Sequence, residues 1–461
     1  MTDVPTAALD RRQELDRLRT TFAAGRTRPR AWREAQLSGI VRLLDEQEDR
    51  IAGALASDLG RSAHEAWLGD VASTRAEADH ARRRLRSWMR RRATGLPLSM
   101  LPGRAFYQYE PLGTVLVIAP WNYPVYLSLG PIVAALAAGN TVVLKPSEHA
   151  PASAALLAEL LPRYCDEAAV AVVEGDATTT QELIAGGVDH VFFTGGPDIA
   201  THVARAAAES LTPVTLELGG KSPAIVTATA DLDVTARRLA WVKLLNAGQT
   251  CIAPDYVLVD ETVREALVDR LVAALADFRT GEPPAQRVVN RRHVERLERL
   301  LRDHGGRLVT GGTATDAPPS LEPTIVVDPV PESDLMQEEI FGPILPVVGT
   351  RSLDHAVAFV ADRPKPLGLY LFSGSARERE RVLAETSSGG VVVNHAAMHC
   401  LVPHLPFGGV GRSGTGAYHG VWGFQALSHR KAVLAKPARP DPRFVYPPYT
   451  PRAERLLRRL F

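Results

Sequence analysis

The sequence predicts an α/β protein: a parallel sheet covered by helices on both faces, followed by a second α/β unit. Two observations carry this. From Pro111 onward, short and continuously apolar runs alternate with helical patterns, as strands buried on both faces do in strand–helix–strand units. The chain has 461 residues, 45% hydrophobic and 23% charged, enough to fill the cores of two or more ordinary globular domains.

The elements follow in order. Residues 9–92 read as helices, with Leu15, Leu18 and Phe22, then Ile40, Leu43, Leu44, Ile51 and Leu55, at helical spacing among many charges. The arginine-rich run Ala81–Arg92 reads as a solvated helix face balanced by acids elsewhere, not as a nucleic-acid or membrane contact. Leu98–Tyr109, with proline, glycine and aromatics, suits an extended crossing segment. Strands are expected at Thr114–Ala119, Thr141–Leu144, Ala169–Val173, His190–Thr194 and Pro213–Leu218. Helices are expected between them at Val125–Ala138, Ala152–Tyr164, Gln181–Ala185 and Pro197–Glu209.

A second series begins at Lys221. It has strands Pro223–Val226 and Tyr256–Val259 and helices Leu232–Leu245, Val263–Phe278 and Arg292–Asp303. Proline- and glycine-rich connectors are expected from there to about residue 350. Helix Asp354–Ala361, strand Leu369–Phe372, helix Ala376–Glu385 and strand Gly390–Val393 resume the alternation. A proline-rich tail from Lys436 ends in a short amphipathic helix, Arg452–Phe461.

Composition narrows the function. A formal charge of +1 provides no global field for nucleic acid or anionic lipid. Three widely spaced cysteines, Cys165, Cys251 and Cys400, form no disulfide framework and suit a reducing cytoplasm. The N-terminus lacks the pattern of a signal peptide. The long apolar run Val125–Leu144 is split by Pro131 and Gly139-Asn140 into helix, turn and strand, so no membrane span is expected. Lysine is scarce: Lys145, Lys221, Lys243, Lys365, Lys431 and Lys436 are the only ones, which makes each lysine within a motif notable.

Candidate chemistry clusters at strand ends. Asn246-Ala-Gly-Gln-Thr-Cys251 sets a thiol behind a glycine, between a helical run and a strand, where nearby main-chain N–H groups can favour a thiolate and hold an oxyanion. Asn122, in the loop Ala119-Pro-Trp-Asn-Tyr-Pro124, offers an amide to a developing oxyanion, or serves as a turn asparagine. Lys145 and Glu148 follow the next strand and can bracket a ribose, while Ser147 can cap the following helix. Gly195-Gly196-Pro197 opens a helix after an apolar strand, so backbone N–H groups can approach a phosphate; it is not a G-x-G-x-x-G fingerprint. Glu217 lies between two leucines in an apolar strand, where desolvation raises its pKa toward that of a general base. Cys165 reads as core. Cys400 lies near His399 and His404, without enough ligands at suitable spacing for a metal.

At these residues the sequence resembles the aldehyde dehydrogenase superfamily, most closely its class three branch. The matching stretches are PWNYP, GNTVVLKPSE, VFFTGG, LTPVTLELGGKSP, NAGQTCIAPDY, MQEEIFGPILPV, ETSSGGVVVN, LPFGGVGRSGTGAYHG and a late YPP. They cover nearly the whole chain from about residue 40. The resemblance implies a Rossmann-type NAD(P)-binding domain over 1–97 and 113–217 and a catalytic domain over 218–424. It also implies bridging and oligomerisation segments at 98–112 and 425–461. Cys251 would be the nucleophile and Glu217 the base, with Asn122 and the Cys251 N–H as oxyanion hole. Glu339 would hold the nicotinamide ribose, Lys145 and Glu148 the adenosine ribose, and Gly195 would lie by the pyrophosphate; Gly196, Trp121 and Phe341 join this cofactor set. No metal is implied.

The implied reaction is oxidation of a medium- or long-chain aliphatic or aromatic aldehyde to its acid through a thioester. NAD is preferred and NADP accepted, in a cytoplasmic homodimer. A CoA-acylating enzyme is the nearest rival, disfavoured by Glu217, and a catalytically silent nucleotide-binding protein is another. One departure stands out: Ala200 replaces a glycine usual in the family, and its methyl is expected to crowd the cofactor-side helix turn.

Overall fold

A computed structural model describes residues 6–280 and 287–460. Its first sheet has six strands in the order Gly414–Thr415, Val214–Glu217, His190–Thr194, Thr114–Ile118, Thr141–Lys145, Val170–Val172. All neighbours are parallel except the two-residue Gly414–Thr415, which pairs antiparallel with Val214–Glu217. The strand period of two explains why the central runs are apolar throughout. Val115, Val117, Val142, Leu144 and Phe192 enter one core, and Leu116, Ile118, Val143, Val191 and Phe193 enter the core on the other face.

The second sheet has seven strands in the order Arg307–Thr310, Thr324–Val327, Ile344–Thr350, Tyr256–Asp260, Pro223–Val226, Gly368–Phe372, Gly390–Val393. Only Arg307–Thr310 runs antiparallel to its neighbour. This corrects the expectation of connectors up to residue 350. Thr324–Val327 and Ile344–Thr350 are sheet strands, and Ala314–Asp316 with Pro319–Leu321 forms a hairpin. Pro346 sits inside one of these strands, opposite Val326, and proline in an interior strand ordinarily argues against the assignment.

A third, antiparallel sheet joins Arg92–Thr94, Arg104–Pro111 and Ser428–Ala435. The helix expected to run to Arg92 therefore stops earlier, at Trp88, and the last arginine of the run starts a strand. The apolar run from Val125 divides into helix Tyr126–Ala138 and strand Thr141–Lys145. Among the described residues no helix is long and apolar enough to cross a membrane.

Asn140, fully buried, fastens the first sheet to the third. Its Oδ1 accepts from the N–H groups of Leu112 (2.8 Å) and Gly113 (3.0 Å), and its Nδ2 donates to the carbonyls of Leu427 (2.9 Å) and Ala135 (3.2 Å). Truncation strands several of these groups away from water. Asn140→Ala is expected to lower stability by about 2–5 kcal/mol in chemical denaturation, and an unchanged midpoint would show that the clamp is dispensable.

Candidate active site

Four sequence-predicted groups emerge at the carboxyl ends of neighbouring strands of the first sheet. Asn122 follows Thr114–Ile118, Lys145 ends Thr141–Lys145, Gly195 follows His190–Thr194, and Glu217 ends Val214–Glu217. This is where open parallel sheets bind ligands. Cys251 lies beside the same edge, on a tight turn that is bonded to Asn122.

That turn is backbone chemistry of an uncommon kind. Helix Leu232–Leu244 passes into Leu245–Gly248, where Asn246 (φ 51°) and Ala247 (φ 54°) are both left-handed and Gly248 follows at φ 72°. Left-handed non-glycine residues cost on the order of 1–3 kcal/mol each and persist only when their surroundings hold them. Gln249 supplies part of the hold: Nε2 donates to the carbonyls of Asn246 and Arg287 (both 2.9 Å), and Oε1 accepts from Val289 N–H (2.9 Å). Gly248 must be glycine, since a Cβ would lie 2.2 Å from the Gly342 carbonyl oxygen. Asn246 Nδ2 donates to the carbonyls of Asn122 (2.9 Å) and Gln249 (3.1 Å), and Asn122 Nδ2 donates to the same Gln249 carbonyl (3.0 Å). The loop carrying Asn122 and the turn carrying Cys251 are thus bonded directly.

Cys251 itself is partly buried. Burial drives its pKa upward, and the neighbouring charges of Glu339, Cys400 and Glu217 add to that rise. The backbone hydrogen bond expected to favour the thiolate is present and lowers the pKa, but burial and the neighbouring charges outweigh it. Glu217 is 3% exposed, and neither carboxylate oxygen has a hydrogen-bond partner. Desolvation raises its pKa well above the carboxylate range, as the sequence implied.

The other predicted groups line the rest of the strand-end edge. The Glu339 carboxylate presses on Gly219, where a Cβ would lie 2.2 Å from it, and burial with nearby Asp255 lifts its pKa to about 7. Phe341, left-handed at φ 46°, meets Trp121 edge to face at 5.4 Å, and His293 packs on Trp121 at the same separation. Lys145 Nζ lies 2.6 Å from the Glu148 carboxylate. Desolvation is the largest single influence on Glu148 and raises its pKa, but the Lys145 hydrogen bond, a backbone hydrogen bond and nearby positive charge together carry it below its ordinary value. Gly196 is the N-cap of helix Pro197–Ala208 with no side-chain cap, and a Cβ there would meet nothing within 4 Å. Ala200 is buried in the apolar cluster with Leu18, Phe193 and Val203, so its methyl packs into the core.

Sequence reasoning missed the groups that brace this site. Arg61 and Asp70, both buried, form an ion pair beneath the Asn122 loop. Glu77 and His419 form a second buried polar pair, with Glu77 accepting from Gly420 N–H (2.6 Å). A cavity beside them is lined by Leu68, Ala72, Tyr126, Cys400, Leu401 and Pro403. No local pattern announces these residues: Arg61 and Asp70 are nine residues apart but reach Asn122 and Asn246 only in the fold, and Glu77 and His419 lie far apart in sequence. Cys165 packs in the core, as expected. Among the described residues no three His, Cys, Asp or Glu side chains are grouped to hold a metal ion.

A thiol and an orphaned carboxyl at the ligand edge of a parallel sheet suit nucleophilic chemistry assisted by a base, and comparison with known proteins supplies the class. The aldehyde dehydrogenase family model matches residues 8–433. Aldehyde dehydrogenase family 3 member B1 of Bos taurus is 46% identical over 96% of both chains. Family 3 member A2 of Mus musculus is 44% identical over 91% of this chain and 87% of its own. The dimeric NADP-preferring aldehyde dehydrogenase of Rattus norvegicus is 44% identical over 91% and 93%. The solved substrate-bound state of Staphylococcus aureus AldH superposes with a TM-score of 0.94 at 39% identity, over 97% of this chain and 99% of that one. The chain belongs to the aldehyde dehydrogenase family. It is an NAD(P)-dependent aldehyde dehydrogenase with the family's fold.

Burial of Glu217 has a stability consequence whose sign is fixed. Its folded pKa exceeds the unfolded value, so folding favours the protonated form, and stability falls as pH rises through the raised pKa. Glu217→Gln removes that loss. Its melting temperature is expected to exceed wild type by a margin that widens with rising pH and closes below about pH 4.3. A margin independent of pH would mean the carboxyl is not desolvated.

Proposed function

We propose that Cys251, Glu217 and Asn122 carry aldehyde oxidation in this chain, and that Glu217 serves both steps as the base. The observation that supports this most is the orphaned Glu217 carboxyl sharing a dry site with a thiol held neutral by burial. A neutral thiol needs a base; Glu217 must itself be ionised to serve, and once ionised its raised pKa makes it a stronger proton acceptor than an ordinary carboxylate. Cys251 Sγ then attacks the carbonyl carbon. The oxyanion is received by the second N–H of the Asn122 amide, whose first is committed to Gln249, and by the Cys251 main-chain N–H. A bound nicotinamide supplies hydride acceptance, the oxidation between thiohemiacetal and thioester. Glu217 first releases the thiol proton to solvent, then takes a proton from water as the oxygen attacks the thioester carbonyl. The C–S bond breaks, the acid departs, and Glu217 returns this second proton to Sγ.

The residues present fit a dinucleotide. The uncapped N-terminus at Gly196, with Gly195, would receive the pyrophosphate; Lys145 and Glu148 the adenosine ribose; and Glu339 the other ribose, beside Trp121 and Phe341. Glu148, facing a 2′-hydroxyl, favours NAD, and release of Lys145 from its ion pair accommodates NADP; one relative is named as NADP-preferring. The cavity bounded by Leu68, Ala72, Leu401 and Pro403 suits medium- or long-chain aliphatic or aromatic aldehydes. The proposed division is a cofactor unit (1–97, 113–217), a catalytic unit (218–424) and bridging segments (98–112, 425–461); the sheets cross these bounds at Gly414–Thr415, which joins the first sheet, and Arg92–Thr94, which joins the third. The third sheet and the amphipathic helix Pro451–Leu460 would serve a homodimer, as the name of the dimeric relative suggests by kinship. We place the enzyme in the cytoplasm on its three unpaired cysteines.

Rapid mixing with saturating aldehyde and cofactor tests the assignment. Glu217→Gln is expected to give at most one equivalent of reduced cofactor and then to stall, with steady turnover down about 10²–10⁴-fold. The burst also slows near neutral pH and recovers as pH rises. Cys251→Ala gives neither phase. Wild-type turnover in Glu217→Gln would require another base or an external acyl acceptor such as CoA. The same traces with NAD and NADP rank the cofactors.

A further inference from the structure

Arg61 sits just after helix Glu48–Leu59, whose C-cap Gly60 is left-handed, and Asp70 lies in the π-helical turn Trp67–Ala72. Their side chains are 3% and 0% exposed. The guanidinium uses its directional donors on three targets. One nitrogen pairs with Asp70, another donates to the Asn122 carbonyl, and Nε donates to Asn246 Oδ1 at 3.1 Å. Its plane also lies over the Tyr123 ring at 4.1 Å, and Tyr123 Oη meets Thr250 Oγ1 at 3.0 Å. Asp70 Oδ1 accepts from the N–H groups of Val125 (3.0 Å) and Tyr126 (2.8 Å), where the Asn122 loop enters its helix.

The pair thus grips the Asn122 loop at both ends and the left-handed Cys251 turn at its first residue. A buried ion pair is a poor source of stability, because desolvation offsets the attraction and apolar replacement is often neutral. What this pair does supply is geometry. An oxyanion donor must lie within a few tenths of an ångström of its place, and a displacement of about 1 Å costs on the order of 10²-fold in rate.

We propose that Arg61, oriented by Asp70, is a positioning residue that fixes the Asn122 amide relative to Cys251, through its simultaneous bonds to the Asn122 carbonyl and Asn246 Oδ1. It touches no reacting atom. The inference rests on the reading of Cys251 and Asn122 as reacting groups, which the Cys251→Ala trace tests separately.

The experiment uses the full-length enzyme and two variants. Arg61→Lys keeps a charge for Asp70, but one ammonium cannot serve three separated acceptors in the guanidinium's fork. Arg61→Met with Asp70→Leu replaces the pair by apolar groups and leaves no lone buried charge. Arg61→Lys is expected to melt within a few degrees of wild type; the double variant is expected to melt lower, because the buried N–H groups of Val125 and Tyr126 lose their acceptor. Both are expected to keep wild-type NADH affinity by fluorescence titration. The burst rate constant should fall at least tenfold in Arg61→Lys and about 10²-fold in the double variant. The acid limb of the pH–rate profile, set by Glu217, should keep its midpoint, which separates lost geometry from general loosening. A burst within threefold of wild type in either folded variant overturns the proposal. So does a loss of rate matched by an equal loss of NADH affinity, which would mark a structural role. If the double variant does not fold, Arg61→Lys decides alone.

Discussion

The site depends on keeping residues 246–248 in the left-handed region. Two of the three are not glycine, so the conformation is held from outside. Gln249 ties it to Arg287 and Val289 beside the second sheet's chain, and Asn246 ties it to the Asn122 carbonyl at the edge of the first sheet. The turn is therefore the joint between the two sheets as well as the seat of the thiol. Distortion there moves Cys251 and the Asn122 amide together with the fold, which couples packing to chemistry.

Around that turn the electrostatics point one way. Cys251, Cys400, Glu217 and Glu339 are all pushed toward their protonated forms, with burial the largest cause each time. A site of this kind holds protons until a step requires one to leave. It differs from cysteine enzymes whose thiolate is stabilised beforehand by a cation or a helix N-terminus. On the proposed assignment Glu217 would have to lose its own proton before it could serve Cys251, so reactivity would be tied to the ionisation of both groups.

Much of this was legible in the chain. Glu217 announced itself because a carboxylate between leucines in an apolar strand must either work or be paired, and its lack of any hydrogen-bond partner argues against the structural ion pair. The strand ends bearing Asn122, Lys145 and Gly195 were legible because parallel strands leave continuous apolar runs. Three features were not. Prolines around Thr324–Val327 and Ile344–Thr350 hid two strands whose pairing is decided by distant neighbours. Arg61 and Asp70 look like surface charges in a helical region, and only the fold brings them to residues 122 and 246. The direction of the Cys251 shift was also hidden, since local sequence offers nearby N–H groups but says nothing of how dry the site becomes.

The account stands on a resting thiol that is neutral and becomes nucleophilic only through its base. The most direct measurement is the rate of Cys251 alkylation by iodoacetamide across pH in the cofactor-free protein, followed by mass spectrometry on that peptide. The account predicts a rate that is low at neutral pH and still rising beyond the ordinary thiol midpoint of about 8.5. A rate that levels off at or below neutral pH would mean a preformed thiolate, and would contradict it.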